Sequence, residues 1–196
     1  MNKSIFTEEG TSRTITAGGT EIHYHDVGEG DPVIFLHSYG PGSTAWITFH
    51  KNLPELSKHF RCIAMDMPNF AKSGPIVYNE PIHIFQARSA LALMDALGIE
   101  KASIVGNSQG GQSALVFAYR YPDRINKLIW GGGHIGTGRN AGEYIFGIGR
   151  TALGMEEGIR ASIRASQELS GNNMRDYLLL HIFDENLITK DLIDYL

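Results

Sequence analysis

Few residues in this chain have both the type and the spacing to do chemistry. Gly106, Ser108 and Gly110 form a Gly-x-Ser-x-Gly pentad. A short apolar run, residues 102–105, leads into it, and apolar residues at helical spacing (Leu115, Val116, Ala118, Tyr119) follow. A strand turning so tightly into a helix would strain the serine's backbone and lift its hydroxyl above the sheet. Glycine suits Gly106 and Gly110, because a Cβ at either would crowd the neighbouring elements. The serine would stand at a helix N-terminus, where free N–H groups and the helix dipole favour developing negative charge. That is the setting of a nucleophile, although a polar strand-to-helix turn without chemistry can carry the same five letters.

Other chemistry-bearing residues read more blandly. His23 and His25 are two apart and share one strand face; they could ligate a metal, but no further ligand cluster accompanies them, so a solvated face is expected. Asp66 could serve as an acid, yet it precedes Ser108 and is expected to secure its own loop through local backbone hydrogen bonds. Cys62 lies in an apolar strand-like run and reads as a buried, inert thiol. His134, at a strand end, is expected to be structural or substrate-facing. His181, on an apolar helical face, is expected to pack. Asp184 and Asp191 read as exposed or capping residues.

The elements needed to position Ser108 can be traced along the chain. Segments 13–17 and 21–27 alternate apolar and polar around Gly18-Gly19, predicting a hairpin at a sheet edge with one face solvated. Residues 32–36 are continuously apolar, the mark of a strand buried on both faces. The small-residue loop after it, His37-Ser38-Tyr39-Gly40-Pro41-Gly42, could turn backbone N–H groups into the space above the sheet, as an oxyanion hole requires. Helical segments at 53–59 and 84–97 alternate with strands at 60–65, 102–105 and 125–130. This alternation predicts an α/β fold, a mostly parallel sheet with helices on both faces. From residue 135 the pattern becomes helical, as in a cap laid over the sheet. Two domains are therefore expected, 1–134 and 135–196.

Composition bounds the rest. The 196 residues are 42% apolar and 19% charged, with net charge −4. No basic footprint for nucleic acid appears, and no apolar run approaches the roughly 20 residues that span a membrane. The polar N-terminus lacks the apolar core of a signal peptide, and a single cysteine excludes an internal disulfide. A cytoplasmic protein with a small-molecule partner is expected, and an apolar edge or cap surface could support a homo-oligomer.

Taken together the chain resembles the α/β-hydrolase fold, and within it the meta-cleavage product hydrolases, which cut a carbon–carbon bond in ring-fission products of aromatic degradation. The resemblance rests on Leu36-His37-Ser38-Tyr39-Gly40-Pro41-Gly42, Asp66-Met67-Pro68-Asn69-Phe70-Ala71-Lys72-Ser73, Gly106-Asn107-Ser108-Gln109-Gly110-Gly111 and Phe183-Asp184-Glu185-Asn186-Leu187-Ile188-Thr189. It implies Ser108 as nucleophile or activator of attack, the N–H groups of Ser38 and Gln109 as oxyanion hole, and Asn107, Gly40 and Gly42 as pocket lining. It also implies a 2-hydroxy-6-oxo-2,4-dienoate substrate and no metal or organic cofactor. Tyr39, Trp46, Ile145, Phe146 and Met155 suggest an apolar pocket, and core packing would explain them as well.

Three departures from that family stand out. Ser38 replaces the usual glycine after the loop histidine. Leu196 stands where the family carries a carboxylate-binding arginine. The acid and base that follow the nucleophile in this fold are expected beyond Leu196, with the last core strands and helix. An ester or lactone hydrolase on the same scaffold, or a non-catalytic binder of small ligands, are the alternative readings.

Overall fold

A computed structural model of the chain describes residues 6–40, 42–132, 164, 170–179 and 184–195. The chain divides into two compact units, Met1–Tyr39 with Ser43–His134, and Gly40–Gly42 with Ile135–Leu196. The expectations for His134, Ile145, Phe146, Met155, His181 and Leu196 lie outside the described residues.

The first unit is built on a six-stranded sheet. After a one-turn helix α1 (Glu8–Thr11), strands β1 (Ser12–Ala17) and β2 (Thr20–Val27) form an antiparallel hairpin. Gly18 and Gly19 turn it, both at positive φ, where a side chain would be strained. Then come β3 (Pro32–Leu36), α2 (Ala45–Phe49), α3 (Leu53–Leu56), β4 (Arg61–Met65), α4 (Ile82–Ala96), β5 (Ala102–Asn107), α5 (Gln109–Arg120) and β6 (Ile125–Gly131). The strand order is β1-β2-β4-β3-β5-β6, and β4, β3, β5 and β6 run parallel.

Strand period explains why both faces are dry. Ile34, Leu36, Ile63 and Met65 point into one core with Leu93 and Met94 of α4 and Ala114 and Phe117 of α5. Their neighbours Val33, Phe35, Cys62 and Ala64 point into the other, with Ala45 and Phe49 of α2 and Leu53 of α3. Cys62 is a free, fully buried thiol, and burial raises its pKa to about 11, so it is inert as expected.

Two expectations need correction. The hairpin does not leave a solvated face at His23 and His25: β2 is an interior strand, paired with β4 as well as β1, and both histidines are only 1% exposed. Alternation of polar with apolar residues fitted a half-exposed strand; α1 and α2 cover that face instead. In α5 the inward face is set by Gly110, Ala114 and Phe117, while Tyr119 is 87% exposed.

The described part of the second unit is helical. Helix α6 (Gly171–Leu179) and helix α7 (Lys190–Tyr195) flank a 3-10 turn, Glu185–Leu187. Met174 and Leu178 pack with Ile188, Leu192 and Ile193 in a small core. Asp184 caps the turn by accepting the Asn186 N–H at 3.1 Å, and Thr189 Oγ1 accepts the Leu192 N–H at 3.1 Å at the start of α7.

Candidate active site

Strand order marks one point where the chain reverses direction across the sheet. From β3 it crosses to β4 on one side, and β5 and β6 are added on the other. Loops leaving the carboxyl ends of β3 and β5 therefore diverge and open a crevice, the place where open α/β sheets bind ligands. Leu36 pairs with Gly106 across that boundary, so Ser38 and Ser108 emerge from adjacent strand ends.

Ser108 occupies this position in the strained form its pentad implies. Its φ is 52° and ψ −112°, between the last residue of β5 and the first of α5, and its side chain is exposed. The strain is held in place from several directions. The Ser108 N–H donates to the Gly131 carbonyl at 2.7 Å, and the Gln112 N–H donates to the Ser108 carbonyl at 3.1 Å. A Cβ on Gly106 would lie 2.4 Å from the Gly110 oxygen, and one on Gly110 would lie 2.1 Å from the Leu36 oxygen. Both glycines are therefore demanded by backbone-to-backbone approach, and Gly110 seats the start of α5 directly against the end of β3. Ser113 further ties α5 to α4, donating to Gln86 Oε1 at 2.6 Å.

The loop after β3 is held by His37. The Met67 N–H can only donate, so His37 Nε2 accepts it at 3.0 Å, and the ring proton sits on Nδ1, donating to the Ser38 carbonyl at 2.7 Å. Burial keeps this imidazole's pKa below its ordinary value despite the Ser38 carbonyl and the nearby Asp66 carboxylate. A neutral ring thus fixes the orientation of the Ser38 peptide. Sequence reasoning placed His37 in the loop without giving it this role, because its partner Met67 is 30 residues away.

The remaining expected site residues divide between the units. Asn107 ends β5 and is exposed; Gln109 opens α5 and is buried, its Oε1 without a hydrogen-bond partner among the described residues. Gly40 and Gly42 have positive φ, 147° and 70°, and group with the second unit. Tyr39 is 68% exposed and meets Phe70 edge-on, whereas Trp46 packs on His25 and His50.

Asp66 secures its loop as expected, but reaches further than local bonds. Its Oδ1 accepts the Ala45 N–H at 2.7 Å, its carbonyl accepts Ser73 Oγ at 2.6 Å, and its Oδ2 contacts His23 Nδ1 at 2.7 Å. Burial pushes this carboxyl's pKa up, but the bonds from His23 and Ala45 outweigh it and hold the group below the ordinary carboxylate range. Among the described residues no cluster of three or more His, Cys, Asp or Glu could hold a metal, and no helix is long and apolar enough to cross a membrane.

Comparison with known proteins agrees with this geometry. The α/β-hydrolase fold family matches residues 31–146. The chain belongs to that family. Among α/β-hydrolase relatives, it is 39% identical over 97% of its length to a 2-hydroxy-6-oxononadienedioate/2-hydroxy-6-oxononatrienedioate hydrolase of Comamonas testosteroni. It is 37% identical over 88% of its length to a 2-hydroxy-6-oxo-6-phenylhexa-2,4-dienoate hydrolase of Burkholderia cepacia. It spans 65% and 57% of those two proteins. Among solved α/β-hydrolase structures, a serine-to-alanine variant of the meta-cleavage product hydrolase from Pseudomonas fluorescens IP01, complexed with acetates, superposes with a TM-score of 0.76 at 36% identity. That match covers 93% of this chain and 61% of the other.

Proposed function

We propose that this protein is a serine-dependent hydrolase that cleaves a carbon–carbon bond in 2-hydroxy-6-oxo-2,4-dienoate ring-fission products. The observation that carries the reading is Ser108, exposed at φ 52° on the crevice between β3 and β5. The names of the relatives supply the substrate class.

In this reading the substrate first shifts to its keto tautomer, which makes the C2 carbonyl an electron sink. Either Ser108 Oγ attacks the C6 ketone and water later hydrolyses the acyl-enzyme, or Ser108 activates a water that attacks C6 directly. In both cases the Ser38 and Gln109 N–H groups receive the oxyanion. The C5–C6 bond then breaks toward the sink, releasing a hydroxypentadienoate and a carboxylic acid. Asn107, Gly40 and Gly42 are assigned to binding the dienoate end of the substrate. A base for Ser108 and an acid to orient it complete the machinery; in this fold both follow the nucleophile in the chain. A cytoplasmic setting is supported by Cys62 as a buried free thiol.

The test is stopped-flow loss of dienoate absorbance with 2-hydroxy-6-oxo-6-phenylhexa-2,4-dienoate and the natural-length protein. Ser108→Ala is expected to lower kcat by about a thousandfold or more. Turnover that survives the substitution, or no turnover by the natural-length protein, would overturn the proposal. Ser38, half-buried in a loop position where the family carries glycine, favours an ester or lactone as second reading; 4-nitrophenyl ester turnover exceeding dienoate turnover would select it.

A further inference from the structure

Around β2 a serine, a histidine and an aspartate are hydrogen-bonded in series. Ser12 Oγ is 2.6 Å from His23 Nε2, and His23 Nδ1 is 2.7 Å from Asp66 Oδ2. Three separate elements supply them: the first residue of β1, the middle of β2 and the loop after β4. Sheet register makes the meeting inevitable. Ser12 pairs with His25, Tyr24 pairs with Met65, and so Ser12, His23 and Asp66 fall on one face of three adjacent strands.

The proton positions follow from chemistry. An ionised carboxylate can only accept, so His23 Nδ1 carries the proton shared with Asp66. In the neutral ring Nε2 is then the basic nitrogen, and it accepts the Ser12 hydroxyl. Asp66 is kept ionised by its bonds from His23 and the Ala45 N–H. His23 and Asp66 are each 1% exposed, so the pair is dry, whereas Ser12 is half-buried at the sheet margin. Ser12 Oγ is the partner of His23 Nε2, and so completes the hydrogen bonding of the buried pair while its own residue stays half-buried. Arg13, the next residue, donates to the Ser12 carbonyl at 2.6 Å and the Gly10 carbonyl at 3.2 Å.

We infer that Ser12, His23 and Asp66 form a second nucleophilic site, separate from Ser108, that takes acyl groups from small activated esters. Ser12 Oγ bonds to the ester carbonyl carbon and gives its proton to His23 Nε2, while Asp66 stabilises the imidazolium. The bond to the leaving oxygen breaks, and the leaving group departs with the proton from His23. Water later releases the acyl group by the same proton path reversed. An activated aryloxide leaves more readily from the tetrahedral intermediate than water attacks the plain acyl ester, so acylation outruns turnover and the acyl-enzyme is the species to look for.

This inference stands independently of the proposed dienoate activity, and the experiment is done with Ser108→Ala, in which the elbow serine is silent. The variant is mixed with 4-nitrophenyl acetate, quenched in acid, and its peptides are mapped by mass spectrometry. The expected result is one acetyl group on Ser12, formed about a hundredfold faster than on the same serine in urea-unfolded protein, with a matching burst of nitrophenolate. Ser12→Ala in the same background is expected to lose both while keeping its circular dichroism spectrum. Acetylation spread over other residues, or a burst that persists without Ser12, would overturn the inference. So would a Ser12 rate equal in folded and unfolded chains.

Discussion

Gly110 shows how much of this site is decided by single missing atoms. Its ideal Cβ would sit 2.1 Å from the Leu36 oxygen and 2.6 Å from the His37 oxygen, both main-chain atoms that cannot swing aside. Gly110→Ala must therefore push α5 away from β3, moving Ser108 relative to Ser38. A loss of about 2–4 kcal/mol of stability is expected from such overpacking, measured as a shift in urea midpoint. Gly98→Ala is a control: a Cβ there meets nothing within 4 Å, so only its positive φ is penalised. At this scale the pentad was legible in the sequence because the turn it makes is local: Gly106 is dictated by Gly110 four positions on, whereas the demand on Gly110 comes from distant Leu36 and His37. The partners of Asp66 and His37 were not legible. Their hydrogen bonds join residues 43 and 30 positions apart, which no local spacing encodes.

Among the elements, β2 departs furthest from its sequence reading. Alternation of polar with apolar residues suggested a wet face, yet His23 and His25 point into a dry layer beneath α1 and α2. Periodicity reports which residues share a face, but not whether that face is covered, and short four- and five-residue helices leave little pattern from which to infer the cover. Burying His25 has a consequence for stability. Its Nδ1 bonds Thr11 Oγ1 at 2.8 Å, its Nε2 is unpartnered among the described residues, and burial lowers its pKa from 6.5 to about 4, with His23 adding to the shift. The unfolded chain takes up this proton below pH 6.5 while the folded chain does not, so stability is full above that pH and declines toward pH 4. His37 acts in the same direction. Asp66, lowered rather than raised, adds its own loss only below the ordinary carboxylate range. Chemical denaturation at pH 7.5 and pH 5 is expected to differ by on the order of 2 kcal/mol. Equal midpoints would show that His25 is protonated in the folded state.

On the scale of the molecule, strand alternation with helices was enough to identify a parallel sheet, and the sheet's switch between β3 and β5 then located the crevice. What alternation could not show was the order of the strands across the sheet. Among the described residues β6 ends the strand order opposite β1, with Ile129 59% and Trp130 40% exposed. This margin is where the backbone of Ser108 finds its partner, for its N–H is held by the Gly131 carbonyl at the end of β6. A hydrogen bond shared with a margin breaks whenever the margin frays, well before the whole sheet comes apart. In deuterated water, then, the Ser108 amide proton is expected to be replaced on the timescale of β6 opening. The Ile104 amide, in a strand flanked by β3 and β6, should persist far longer. The nucleophile's own peptide group thus becomes a clock for β6, ticking in a folded molecule.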